Sequence, residues 1–168
     1  MIIRRGGWLI SMALLTLFGC AGRNYRTLPV AEQTLYRAYS QVMTSAQSRQ
    51  YLELSTASER QAYAEKIGVA QRLEALSPQE QEAVRGGVVF KGMSAEALKF
   101  VWGDPCRTEG SKANGRWYYQ GPAFELPEVG WNCGSTESTF VEVQLADGKL
   151  EWWAERIPSR LTIPRGKP

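Results

Sequence analysis

"KGMSAEALKFVWGDP", Lys91 to Pro105, sets one short amphipathic run between two groups of backbone signals. Ser94 stands where an N-cap would accept hydrogen bonds from the first unpaired amides of a helix. Met93 and Leu98 then fall at N′ and N4, the two positions of a hydrophobic staple. Gly92 lets the chain turn sharply into the helix, and Leu98, Val101 and Trp102 form its buried stripe. Gly103 closes the helix and Pro105 forbids its continuation. A helix of about two and a half turns is too short to be stable alone. It needs a sheet to dock on.

The sheet is legible downstream. Arg116 to Gln120, "RWYYQ", is dense in aromatic strand formers, and Thr139 to Leu145 alternates with Val141, Val143 and Leu145 on one face. Asp147-Gly148 is a two-residue hairpin signal. The turn predicts Leu145 opposite Leu150, Val143 opposite Trp152 and Val141 opposite Ala154, all apolar on a single face. The other face then carries Phe140, Glu142, Gln144, Glu151, Trp153 and Glu155. Phe140 and Trp153 among those charges are either a partner-binding patch or a surface covered by helices from the N-terminal half.

Upstream, residues 30–87 read as helix in pieces. Leu35, Tyr36, Tyr39, Val42 and Met43 lie on one helical stripe. "TASE", Thr56 to Glu59, is a capping box whose helix should end at Gly68. "SPQE", Ser77 to Glu80, repeats it with proline at N1 and ends at Gly86-Gly87. Val69, Leu73 and Leu76 form a further short stripe between them. The tyrosines sit at helical spacing among apolar neighbours, where they serve as core. The expected class is therefore α+β: a helical N-terminal half, then a short helix on an antiparallel β-meander of three to four strands.

Residues 1–19 read as a signal peptide, with Arg4-Arg5 before an apolar run from Trp8 to Leu17. "LFGC" resembles the lipobox of bacterial lipoproteins, which implies cleavage before Cys20 and its acylation. Several acyl chains hold a protein to a bilayer better than one, since each buried methylene adds ~0.8 kcal/mol. An ordinary secretory signal is the alternative. Residues 20–29 would be anchor and tether. Ala21, in place of an aspartate, points to the outer membrane, periplasmic face. Without Arg4 and Arg5 the chain is near neutral, which gives no footprint for nucleic acid. Residues 157–168, with three prolines and little to bury, read as an extended basic tail.

The order Gly92-Met93-Ser94, apolar-patterned helix, Gly103-Asp104-Pro105, Trp117-Tyr118-Tyr119 and Val141 to Trp152 across Asp147-Gly148 resembles the BamE (SmpA/OmlA) family. The resemblance runs from about Gln79 to Arg156, and a BamE-like α+β domain is assigned to residues 88–156. It implies two helices on a three-stranded sheet in a lipoprotein. Gly121 to Ser138 lengthens one connection, and Val30 to Ser77 has no counterpart in a minimal member of the family.

Catalytic chemistry finds few carriers. The chain has no histidine, which removes the residue most used as a base near neutral pH. It shows no nucleophile elbow, P-loop or metal-spaced cluster, so no catalytic residue, metal or cofactor is assigned. Cys106 opens the first strand and Cys133 lies just before the third. An up-down-up meander brings those points to one sheet end, so a disulfide between them is expected in an oxidising compartment. Closing that loop would contribute ~3.5 kcal/mol in the chain-entropy model; two free thiols are the alternative. The expected function is a non-catalytic outer-membrane lipoprotein, bound to lipid through Cys20 and to envelope proteins, serving envelope or β-barrel assembly or integrity. The alternative is a periplasmic ligand-binding lipoprotein with an apolar pocket between helices and sheet. Trp117, Tyr119 and the helical tyrosines would line that pocket.

Overall fold

The computed structural model describes residues 24–120 and 140–156. Six helices precede a four-stranded antiparallel sheet, so the chain is α+β with the helices mostly N-terminal and the strands C-terminal. The helices are α1 (Val30–Ser40), α2 (Ser45–Glu53), α3 (Ala57–Lys66), α4 (Val69–Glu74), α5 (Pro78–Gly86) and α6 (Ala95–Trp102). The strands are β1 (Arg107–Gly110), β2 (Gly115–Gln120), β3 (Phe140–Ala146) and β4 (Lys149–Arg156), in spatial order β1-β2-β3-β4.

Helix boundaries follow local chemistry. Both expected capping boxes form, Thr56 with Glu59 and Ser77 with Glu80. Gly68 and Gly87 take left-handed conformations at the ends of α3 and α5. A third box, Thr44 with Gln47, starts α2, and "TSAQ" carries the same local signal.

The last residues of the stretch expected to be tether are packed on the fold. Tyr25–Thr27 form one 3-10 turn, Leu28 is buried, and Tyr25 stacks on Tyr36 with ring centroids 5.7 Å apart. Two aromatic and aliphatic side chains within reach of α1 gain more by burial than a free coil gains in entropy. Tyr36 continues to Tyr51 at 5.6 Å, and Tyr51 meets Tyr39 edge-on at 6.3 Å. Burial pushes the Tyr51 phenol up to about 12.

One side chain in this half was not foreseen. Arg60 is buried, with Nε 2.6 Å from Glu32 Oε2 of α1 and Nη1 donating to the Leu54 carbonyl at 2.7 Å. It ties α1, the end of α2 and α3 together. A buried guanidinium is tolerable only with its partners in place.

The opening stretch folds as read, with one addition. Ser94 caps α6 by accepting the Ala97 amide, Met93 and Leu98 are fully buried, and Gly92 and Gly103 have φ of 93° and 78°. Yet α6 also buries Ala97 and Phe100, so it is apolar around most of its girth. It lies between two layers. Trp102 meets Tyr119 edge-on at 5.4 Å on the sheet side, while Phe100 and Val101 face α1 and α5. The helical half is thus a cover for α6, gathered on the Val141, Val143 and Leu145 side of the sheet.

The hairpin register needs correction beyond its first pair. Asp147 and Gly148 both have positive φ, and Leu145 pairs with Leu150 as expected. A β-bulge between Gln144 and Leu145 then shifts the partners: Trp152 pairs with Gln144, Trp153 with Val143, Ala154 with Glu142 and Glu155 with Val141. A bulge sets two residues of one strand against one of the other, which breaks the constant alternation that the sequence argument assumed. Trp152 is therefore not the core residue expected opposite Val143, and Trp153 is not on the face expected for it. Trp153 is 38% exposed and Trp152 is half-buried.

Candidate functional site

The leader (1–19), Cys20, Cys133 and the tail (157–168) lie outside the described residues, as does the side chain of Phe140. Cys106 is disulfide-bonded, and its amide donates to the Tyr118 carbonyl at 2.8 Å. Phe140 begins β3, paired with Gln120 and Arg156, whereas Trp153 pairs with Val143. Register therefore puts positions 140 and 153 out of step along the two strands.

The sheet face away from α6 is occupied by its own charges. Arg107 lies 4.2 Å from the Tyr118 ring centroid and 3.2 Å from Glu109, whose carboxylate also accepts the Tyr118 hydroxyl at 2.8 Å. Next to them Arg116 approaches Glu142 at 3.6 Å and donates to Gln144 at 3.4 Å. Each cation has an acceptor within reach, so this face is a set of surface pairs of small individual worth.

The two edges of the sheet differ. Along β4, the Gly92 amide donates to the Leu150 carbonyl and the Leu150 amide to the Met93 carbonyl, both at 2.7 Å. The Ala95 amide donates to the Gly148 carbonyl at 2.8 Å. The approach to α6 thus doubles as a short partner for β4. Glu80 reinforces it from α5: Oε1 accepts the Ser94 amide at 2.7 Å while Oε2 accepts the Ser77 amide and hydroxyl. Partial burial of Glu80 would raise its pKa, but the hydrogen bonds from Ser94 and Ser77 outweigh it and hold the carboxyl down at about 2.

At β1 nothing comparable happens. Arg107 to Gly110 are exposed along their whole length, and among the described residues no strand pairs with their outer edge. A groove of about 550 Å³ runs between this edge and α6. Its helix wall is Ala95, Glu96 and Lys99, its strand wall Thr108 and Gly110, and beneath it lies the buried Trp117. Lys99 Nζ sits 5.7 Å from the Trp117 centroid and 2.6 Å from Asp104. Glu96 is held by Arg72 at 2.7 Å. Lys112, at the turn end of the groove, is exposed and has no ion pair among the described residues.

Of the residues expected to line a pocket, only Trp117 does so. Tyr119 is fully buried, donates its hydroxyl to the Gly103 carbonyl at 3.3 Å, and has its pKa raised by burial and then by the Asp104 carboxylate. The helical tyrosines stack on one another instead. Sequence reasoning missed Lys99, Thr108 and Lys112 because they carry no motif; the exposed four-residue strand before a glycine-containing turn was the available signal. Among the described residues no cluster of three or more metal-ligating side chains occurs, and no helix is long and apolar enough to cross a membrane. Known families, characterised proteins and solved structures provide no match to this chain.

Proposed function

We propose that this chain is a non-catalytic lipoprotein of the bacterial outer membrane, anchored through Cys20, that serves envelope or β-barrel assembly or integrity by binding other envelope proteins. The observation that carries the reading is the unit of α6 and the meander. A helix bracketed by Gly92 and Gly103 is seated on antiparallel strands by backbone hydrogen bonds, the order of parts that resemblance to the BamE family implies. An exposed β1 with which no described strand pairs on its outer side, and a groove beside it, support a role in contacts. In this reading Cys106 is bonded to Cys133, which would hold the long β2–β3 connection near the sheet end.

The groove also supports the second reading, a periplasmic ligand-binding lipoprotein, through its volume. Volumes of this size suit small molecules as well as peptide side chains. Metabolic labelling with a fatty-acid probe, together with crosslinking of intact envelopes, tests the main reading. Labelled wild-type chain, unlabelled Cys20→Ser and a defined crosslinked envelope partner are expected. Unlabelled wild type, or labelled protein with no crosslinked partner, would overturn it.

A further inference from the structure

We propose that Asn114 is a site of spontaneous covalent modification: its side-chain amide converts to aspartate and isoaspartate through a succinimide, at a rate set by a latch between the β1–β2 and β3–β4 turns. The inference stands apart from the protein-binding reading above. Asparagine before glycine is the sequence most prone to this reaction, because glycine has no Cβ to hinder approach of its own amide nitrogen. The Gly115 nitrogen attacks Asn114 Cγ, an N–Cγ bond forms, and the side-chain nitrogen leaves as ammonia with the proton lost from Gly115. Water then opens the ring at either carbonyl. Breaking the new bond leaves aspartate; breaking the original main-chain bond leaves isoaspartate, with an extra methylene in the backbone. Water is the sole reagent, and Asn114 is exposed to it.

Both reacting groups are held by the fold. Asn114 Oδ1 accepts the Asp147 amide at 2.9 Å, and the Ala113 carbonyl accepts the Gly148 amide at 2.7 Å. These two bonds are the latch. Ser111 grips the same residue: its amide donates to the Asn114 carbonyl at 3.0 Å, and its hydroxyl accepts the Asn114 amide at 2.9 Å. With Ser111 and Asn114 hydrogen-bonded, alternation makes Gly110 and Gly115 a non-bonded pair and turns the Gly115 amide toward Leu145 of β3. Attack on Cγ requires both groups to let go. Neither residue is easily replaced by a less reactive one. A Cβ at Gly115 would stand 2.5 Å from the Glu109 and Ser111 carbonyl oxygens, and Asn114 supplies the acceptor for Asp147. The longer isoaspartate backbone does not fit the closed turn, where a Cβ on Gly110 would already come within 2.8 Å of the Asn114 carbonyl oxygen. Each such conversion leaves a loosened sheet end behind.

The test follows the full chain by peptide mass spectrometry over a time course at neutral pH, folded in detergent micelles and unfolded in guanidinium chloride. Amide-to-acid conversion at Asn114, with separate aspartate and isoaspartate peptides, is expected in both. It should be at least about tenfold slower in the folded chain, since the reaction waits on local opening. Ser111→Ala removes the hydroxyl grip and should speed conversion of the folded chain about 2- to 10-fold, as loss of one hydrogen bond would. The unfolded rate should not change with it. In the isoaspartate fraction, amide exchange at Asp147 and Gly148 should be faster than in unconverted chain. No conversion at Asn114 in the folded chain, equal rates folded and unfolded, or a folded Ser111→Ala rate equal to wild type would each overturn the proposal. Unchanged exchange at Asp147 and Gly148 after conversion would do the same.

Discussion

The two edges of the sheet, the four-residue β1 and the eight-residue β4, are treated in different ways. Beside β4, Gly92 to Ala95 run close enough to exchange backbone hydrogen bonds with Gly148 and Leu150, and Glu80 holds the Ser94 amide from behind. Beside β1 the chain leaves α6 through Gly103, Asp104 and Pro105, and a groove opens instead. The approach to this helix therefore pairs with the start of β4, whereas beside its last turn no described strand pairs with β1. The difference teaches what the heavy punctuation of α6 accomplishes. Capping positions the helix, and the capping segment also finishes the sheet.

The strongest way to break the contrast is to unseat α6. Leu98→Ala removes a fully buried side chain from between sheet and helices, and the expected loss is about 2–5 kcal/mol by urea unfolding. Exchange at the Leu150 amide should accelerate with it, because the closed edge depends on the helix staying in place.

Gly103→Val attacks the opposite end. Gly103 has φ of 78°, and an added Cβ would stand 3.1 Å from Gln41 Oε1. A β-branched residue there should cost about 1–3 kcal/mol in backbone strain. A melting temperature equal to wild type would show that the helix stop tolerates a side chain.

The bulge in β4 makes a sharper comparison. With constant alternation Trp152→Ala would be a core deletion and Trp153→Ala a surface change. With partners Gln144 and Val143 and partial exposure of both indoles, the two should cost similar amounts, about 1–2 kcal/mol each, below the range of a full core deletion. A difference above about 3 kcal/mol between them would contradict the bulged register.

Glu80→Gln is expected to have the smallest effect, about 1 kcal/mol once solvent screening of a partly exposed group is allowed for. Its pH dependence is the better readout. The folded-state pKa is depressed to about 2 from 4.5. The carboxylate therefore contributes fully above pH 4.5, and its contribution is lost as pH falls toward 2. Acid denaturation of wild type should be steeper in that window than that of Glu80→Gln, with earlier exchange at the Ser94 amide.

Much of the helical half was legible because its signals are local. Thr56 with Glu59 and Ser77 with Glu80 are read within four residues, and Gly68 and Gly87 mark ends through their own backbone conformations. The Asp147-Gly148 turn was legible for the same reason. Thr44 with Gln47 had the same form and could have been read. The candidate site was scarcely visible. Lys99 and Lys112 are ordinary lysines in sequence, and they line one groove only because α6 and the β1–β2 turn meet in space.

What the sequence by itself determined was where elements start and stop, since caps and turns satisfy backbone groups within a few residues of themselves. Tertiary structure alone decided which partners those elements found. Arg60 reaches Glu32 across 28 positions and Ser94 reaches Glu80 across 14. Neither pairing has a spacing rule. The bulge that reassigns Trp152 and Trp153 and the double burial of α6 belong to the same class. The pairings depend on groups distant along the chain competing for one volume and one set of hydrogen bonds, and that competition is settled only when the whole core closes.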